Sequence, residues 1–170
     1  MGKSMKKTVA EAEDEVRDVM SDDVRRTLER FQGGYTCSVA IASVFGPRYG
    51  AEEDMLCRLA NGFAGGIGGL GETCGAVAGA VMILGLRHVP EDHLDKPGRQ
   101  SSWEIVRRFM ADFELEAGST LCADLLQHDL SSLEGVLAAR KAGAFERVCP
   151  HLVQTAARLL EKYLEPGQGS

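Results

Sequence analysis

The sequence lacks the close cysteine pairs that mark the common thiol motifs. It contains no Cys-x-x-Cys pair, which excludes a thioredoxin-type redox motif and a zinc-knuckle pattern. It also has no Cys-x-x-Cys-His, so covalently attached haem is not expected. Any site built from several of its cysteines must therefore join segments that lie far apart in the chain.

Positive charge and long apolar segments are scarce as well. The formal net charge is −6 and no basic stripe is visible, which argues against a nucleic-acid-binding surface. Acidic residues rather than an apolar stretch follow the basic start, which predicts no secretory signal. The longest apolar run, residues 76–86, is interrupted by glycine and falls far short of the roughly 20 residues that cross a bilayer. We therefore predict a cytosolic protein without a membrane span, in which thiols stay reduced.

The remaining patterns predict an all-α protein, folded as a compact single-domain bundle of six to eight helices with a buried Gly/Ala-rich central helix at 74–86. The 170 residues suffice for one core, and 44% are hydrophobic. We expect a charged helical extension at residues 1–22, a four-cysteine domain at 23–165 and a disordered tail at 166–170. Helices are predicted at 24–31, 36–45, 51–61, 74–86, 102–116, near 122–126, at 131–142 and at 149–164.

Several local signals set these helix limits. Ser21 is a predicted N-cap, and Ser101 with Glu104 resembles a capping box that begins a helix burying Trp103. Ser119 is expected to cap the helix that contains Cys122. The pair Cys149-Pro150 predicts the start of the last helix, because proline is favoured at the first helical position.

Four of the five cysteines are predicted to lie in the first turn of a helix: Cys37, Cys74, Cys122 and Cys149. Unpaired N–H groups and the helix dipole favour a thiolate there, which makes such a cysteine more nucleophilic and a better metal ligand. Cys57 lies in the middle of a helical pattern and lacks this setting. We predict that the four sulfur atoms act as redox thiols or metal ligands at one site. The alternative is that they are small buried residues that pack helices.

A glycine-rich segment precedes Cys74. Residues 62–71 contain six glycines and the letters Gly-x-Gly-x-x-Gly, but a helix rather than a strand comes before them, which argues against a dinucleotide-binding loop. We expect its backbone N–H groups to cluster around the start of the Cys74 helix and favour an anion or sulfur. Gly71, Gly75 and Gly79 are four residues apart, so a neighbouring backbone can approach closely. With Glu72, a predicted cap or base, these are the predicted cofactor-binding residues.

Two histidines are further candidates for a metal shell. His151 lies two residues after Cys149, and His128 lies six residues after Cys122. Either could ligate a metal or hold a thiolate as an ion pair, or could simply be a partly exposed side chain.

The segment around Cys74 resembles the Cys-Gly-Ala-x-x-Gly motif of the C_GCAxxG_C_C family of redox proteins. The segments 34–40, 122–130 and 149–153 resemble the family's other three cysteine segments, in the same order. The resemblance implies a small cytosolic redox protein with four shared cysteines and no established reaction. A related domain occurs in split-Soret cytochromes, where these cysteines are candidates for an iron–sulfur site, but this chain lacks their haem motif.

Together these patterns predict a redox or electron-transfer protein with one four-cysteine site, served by a redox partner protein. The site would bind an iron–sulfur cluster or another thiolate-bound metal, or would cycle between dithiol and disulfide. A non-catalytic metal-binding or sensing module and a purely structural helical protein are the alternatives. A homodimer is also plausible, because so apolar a helix as that at 74–86 is either enclosed or packed on a partner.

Overall fold

The computed structural model describes residues 20–92 and 94–165, and this part of the chain is all-α, as predicted. The described residues form no β-strand, and their one β-type pairing is an isolated antiparallel bridge between Thr73 and Leu121. A 3₁₀ turn follows the second helix at Gly46–Tyr49. The described residues form eight α-helices: α1 (Asp22–Gln32), α2 (Cys37–Phe45), α3 (Glu53–Asn61), α4 (Gly75–His88), α5 (Lys96–Ala117), α6 (Cys122–Leu126), α7 (Leu133–Lys141) and α8 (Ala144–Leu164).

Helix α4 is the central element, as its composition predicts. It packs against α2, α5 and α8. Its small residues allow α2 to come very close, since a Cβ at Gly79 would lie 2.7 Å from the Ser38 carbonyl oxygen. The buried side chains of α4 thus lie within the bundle of this single chain. The homodimer stays a prediction.

The predicted start of α5 is wrong. The helix begins at Lys96 rather than at Ser102, with Pro97 in its first turn, where a missing N–H costs least. The buried hydrophobic positions are Ile105, Phe109 and Phe113, spaced four residues apart. Trp103 lies beside this stripe and is 60% exposed, which corrects the prediction that it is buried. Ser101 and Glu104, which resemble a capping box in the sequence, therefore lie inside a longer helix.

The predicted start of the last helix is also wrong. Helix α8 begins at Ala144 after Gly143, which adopts φ 61°, and Pro150 lies inside it. The turn at Gly143, and not Pro150, therefore marks the start of this helix. Pro150 has no N–H group, so it only removes one hydrogen bond inside the helix. Cys149 thus lies in the second turn of α8 and not in a first turn.

Two predicted caps have different outcomes. Ser21 is the N-cap of α1, and its hydroxyl accepts a hydrogen bond from the Val24 N–H at 3.2 Å. Ser119 is not the N-cap of α6, since Leu121 occupies that position. The Ser119 hydroxyl instead accepts from the Leu121 N–H and donates to Asp124, each at 3.0 Å.

Some predictions concern residues outside the described ranges. These are most of the charged extension at 1–22 and the tail at 166–170. No helix of the described residues is long and apolar enough to cross a membrane. The cytosolic location stays a prediction.

Candidate functional site

One cavity brings together the four cysteines that the sequence singles out. It has a volume of about 230 Å³ and lies where the starts of α2, α4 and α6 meet the second turn of α8. Apart from sulfur, its lining is almost entirely apolar, and Thr36 contributes the one side-chain hydroxyl among the lining residues. The lining residues are Phe31, Thr36, Cys37, Ala64, Gly65, Cys74, Ala76, Cys122, Phe145, Cys149, Leu152 and Val153.

Cys37 and Cys74 meet because the N-termini of α2 and α4 lie side by side. Gly75 makes this possible, since a Cβ at that position would collide with the Cys37 sulfur. The same Cβ would lie 3.0 Å from the Phe63 carbonyl oxygen. A glycine directly after Cys74 is therefore required by the approach of the second sulfur.

Cys74 and Cys122 are tied together by backbone hydrogen bonds around the isolated bridge. The Cys74 N–H donates to the Thr120 carbonyl at 2.8 Å, and the Cys122 N–H donates to the Glu72 carbonyl at 2.7 Å. This short antiparallel pairing anchors the first residue of α6 beside the N-cap of α4. Residues 48 positions apart in sequence thus share one wall of the cavity.

Cys149 reaches the cavity from α8. Phe145, Leu152 and Val153 line the cavity from the same helix, at the three- and four-residue spacings that define one helix face. The face that points at the other cysteines is therefore apolar except for the sulfur. The position of Cys149 on this face, and not the helix start that the sequence pattern predicted, brings it to the cavity.

The glycine-rich segment makes a smaller contribution than predicted. Five of its glycines adopt positive φ, and five of its ten N–H groups donate to carbonyls within the segment itself. The Gly71 N–H, for example, donates to the Gly65 carbonyl at 3.1 Å. Only Gly65 turns its N–H toward a cysteine, Cys37. Gly71 lies in the loop, packed on Ala123, and does not share the helix face of Gly75 and Gly79.

Burial changes the acidity of these thiols in the direction opposite to the expectation. It is the largest cause at all four positions, and it raises the pKa of Cys37 and raises that of Cys74 to about 11. It raises the pKa of Cys122 and of Cys149 to about 12, and the other cysteines add to both shifts. Protonated thiols are therefore the resting form at neutral pH. Desolvation therefore outweighs the stabilisation of a thiolate that a helix start was expected to provide.

Backbone N–H groups still face two of the sulfur atoms. For Cys37, burial dominates the raised pKa, while hydrogen bonds from the N–H groups of Gly65, Ser38 and Ala76 act in the lowering direction. The Ala76 N–H also acts on Cys74 in the lowering direction, against the larger effect of burial on its pKa. These donors favour any form in which the sulfur carries negative charge or ligates a cation.

The other candidates lie away from the cavity. His151 is exposed, and His128 is half-buried with its Nδ1 2.5 Å from the Leu126 carbonyl oxygen. Neither histidine lines the cavity, and the Glu72 side chain is exposed. Cys57 lies on α3, is partly exposed and does not line the cavity either.

The donor chemistry fits a thiolate-bound group, although the side chains are not arranged around a single ion. Within residues 20–92 and 94–165, no three His, Cys, Asp or Glu side chains are grouped so that they could hold a metal ion. The cavity itself presents four thiols and no carboxylate or imidazole. Sulfur is the donor that suits iron–sulfur clusters and other soft metals.

Sequence reasoning missed several lining residues. Thr36 precedes the first cysteine, and Phe145 lies one helical turn before Cys149, so both were detectable by spacing once their helices were known. Phe31 lies in the last turn of α1 and has no local signal that would place it at the site.

A comparison with protein families gives one match. The family described as "Putative redox-active protein (C_GCAxxG_C_C)" matches residues 35–163. The chain belongs to the C_GCAxxG_C_C family. No curated protein and no solved structure gave a significant match.

Proposed function

We propose that this C_GCAxxG_C_C protein transfers electrons at one site formed by Cys37, Cys74, Cys122 and Cys149, which together ligate an iron–sulfur cluster. The observation that carries the proposal is that four thiols from four remote segments line a single cavity. Four cysteine ligands are the usual set for clusters with two or four iron atoms. A cluster bound there supplies one-electron redox chemistry, and an external donor and acceptor complete the exchange.

The size of the cavity that the four thiols line favours a cluster over a single ion. A structural zinc site holds its sulfur atoms at about 2.3 Å from one centre. No such close grouping occurs among the described residues. The thiols instead surround a cavity of about 230 Å³, which suits a group of several atoms better than one ion.

The surroundings of the thiols also suit electron transfer. Cys74 is 3% exposed and Cys122 is 6% exposed, and the cavity that both line is almost entirely apolar. Such surroundings limit contact of water with these two sulfur atoms and lower the local dielectric, two of the means by which proteins set the potential of a redox centre. The N–H groups of Gly65 and Ala76 add hydrogen bonds to sulfur, which is a third.

A dithiol–disulfide cycle is the second candidate, and the proximity of Cys37 and Cys74 favours it. The Cys37 sulfur lies directly beside Gly75, the neighbour of Cys74, and both cysteines are free. Oxidation would join the two sulfur atoms and release two electrons and two protons to a partner disulfide, which would become a dithiol.

Metal and sulfide analysis of anaerobically purified or reconstituted protein separates the two candidates. We expect iron and acid-labile sulfide in stoichiometric amounts and a brown colour. Single Cys→Ser variants at positions 37, 74, 122 and 149 should each lose most of the iron. Cys57→Ser is the matched control, because this fifth cysteine lies outside the cavity, and it should retain full iron content.

Two results would decide against the cluster. A colourless wild-type protein without iron or sulfide would exclude it, and so would equal iron content in the Cys74→Ser and Cys57→Ser variants. Loss and recovery of two thiols per chain on oxidation and reduction would then support the dithiol cycle. Absence of both behaviours would leave a structural protein.

A further inference from the structure

The Thr36 side chain places a polar hydroxyl group in the protein interior. Its Oγ1 is shielded from solvent and has no hydrogen-bond partner among the residues that the structure describes. Thr36 lines the four-cysteine cavity and immediately precedes Cys37. Buried polar groups almost always have partners, so an orphaned hydroxyl at a cavity wall needs an explanation.

Its position makes the orphaned hydroxyl more unusual. Thr36 is the N-cap of α2, with φ −70° and ψ 159°, and a threonine there normally accepts a hydrogen bond from an N–H of the first turn. Two serine N-caps of this chain do so, since Ser21 accepts from Val24 and Ser132 accepts from Gly135 at 3.1 Å. The Thr36 side chain makes no such bond. Its hydroxyl therefore remains available to the cavity.

We propose that Thr36 donates a hydrogen bond to a sulfur of the group held in the cavity, and thereby sets its reduction potential. A protonated thiol is a weak acceptor, whereas a ligating thiolate or an inorganic sulfide carries negative charge and accepts well. The partner of Thr36 is thus supplied only when the site is loaded. A bond of this kind favours the more negative, reduced state and raises the potential. The inference depends on the proposed function.

The test compares Thr36→Val, which removes the hydroxyl but keeps the shape, with Thr36→Ser, which keeps a hydroxyl. Thr27→Val is the matched control, because Thr27 is the same residue type, is fully buried and donates to the Asp23 carbonyl at 2.8 Å within α1. Each variant is measured in two states, by thermal unfolding of the metal-free protein and by redox titration of the cluster-loaded protein.

In the metal-free state, Thr36→Val should melt at the wild-type temperature or above, because it replaces an unsatisfied hydroxyl by a methyl group. Thr27→Val should melt lower, since it removes a hydrogen bond that exists. In the loaded state, Thr36→Val should lower the midpoint potential by about 30–59 mV. For one electron this corresponds to a three- to tenfold change in the ratio of reduced to oxidised protein at a given potential. Thr36→Ser and Thr27→Val should stay close to wild type.

Two results would overturn the inference while leaving the proposed function intact. One is a loaded Thr36→Val protein with the wild-type potential. The other is a metal-free Thr36→Val protein that melts as low as Thr27→Val, which would mean that the hydroxyl already has a partner. If the wild-type protein takes up no cluster at all, the proposed function fails first, and the role of Thr36 falls with it.

Discussion

The two halves of the four-cysteine site are built in different ways. Cys37 and Cys74, the first half, lie at the crossing of α2 and α4, where Cys74 belongs to the main core of 24 buried residues. Cys122 and Cys149, the second half, pack on a separate cluster of five buried residues around α6, α7 and the start of α8. The second half therefore has less buried apolar surface to hold it in place.

The first half of the site is therefore held more rigidly than the second half. The first half is held by close backbone contact, which leaves no room for adjustment at Gly79. The second half is held by the Thr73–Leu121 bridge and a small cluster, and regions with few buried contacts open at lower free energy. We infer that the second half opens at a lower free energy than the first half.

The largest expected effect comes from breaking the first half. Gly79→Val should lower the free energy of unfolding by about 3 kcal/mol, because its side chain would meet the Ser38 backbone rather than a movable side chain. Urea denaturation measures this loss. Gly85→Val is the matched control on α4, since a Cβ there has nothing within 4 Å. Equal stability of the two variants would contradict close contact between α2 and α4.

The burial of the first half also predicts a pH dependence. Burial raises the Cys74 pKa from 9.0 to about 11, so the folded protein binds this proton more tightly than the unfolded chain. The stabilisation is full below pH 9 and is lost as the pH rises through the folded pKa, by about 2–3 kcal/mol for a shift of this size. Denaturation of metal-free protein between pH 8 and 11 should show this fall.

Two variants sharpen the pH experiment. Cys74→Ala should reduce the alkaline loss of stability, while Cys57→Ala should alter it less, since Cys57 is partly exposed on α3. The same alkaline slope in Cys74→Ala and wild type would show that the Cys74 thiol is not desolvated.

Weakening the second half should produce a smaller and more local effect. Leu126→Ala removes a side chain that is 3% exposed in the smaller cluster, and we expect a loss of about 2 kcal/mol. Site-resolved thiol labelling should show faster modification of Cys122 and Cys149 in this variant, with Cys74 unchanged. If Cys74 is labelled equally fast, the two halves do not open separately.

The smallest effect concerns the helix caps of the two halves. Ser132→Ala removes the cap of α7 and should cost about 0.5–1 kcal/mol, with a several-fold rise in Cys149 labelling. Ser21→Ala removes the cap of α1 at a similar cost, and should leave Cys149 labelling unchanged. A rise in Cys149 labelling in both variants would mean that the whole domain opens as one unit.

Local sequence signals predicted the helices well where the local signal and the packing agree. Ser21 and the acidic residues after it begin α1, and the apolar segment after Thr36 forms a buried helix. They failed at Trp103, where packing of the helix on the core decides burial, and at Pro150, where the turn at Gly143 begins the helix earlier. The side-chain stripe that faces the core, and not the capping letters, decides which residues of α5 are buried.

The acidity of the thiols could not be predicted from helix position. A helix start favours a thiolate by a modest amount, whereas burial in an apolar cavity penalises the charged form more strongly. Burial depends on which segments meet, and no local pattern around Cys122 or Cys149 contains that information. For the same reason, the orphaned hydroxyl of Thr36 became visible only with the structure.

By itself the sequence determined an all-α chain with four separated cysteines, a glycine after the second one, and membership in a redox family, because these depend on residue type and local spacing. Only the tertiary structure decided that four segments converge on one cavity, that desolvation keeps the thiols protonated, and that one half of the site is anchored more firmly than the other. These properties arise from contacts between residues remote in sequence, whose free energies depend on burial and distance rather than on neighbours along the chain.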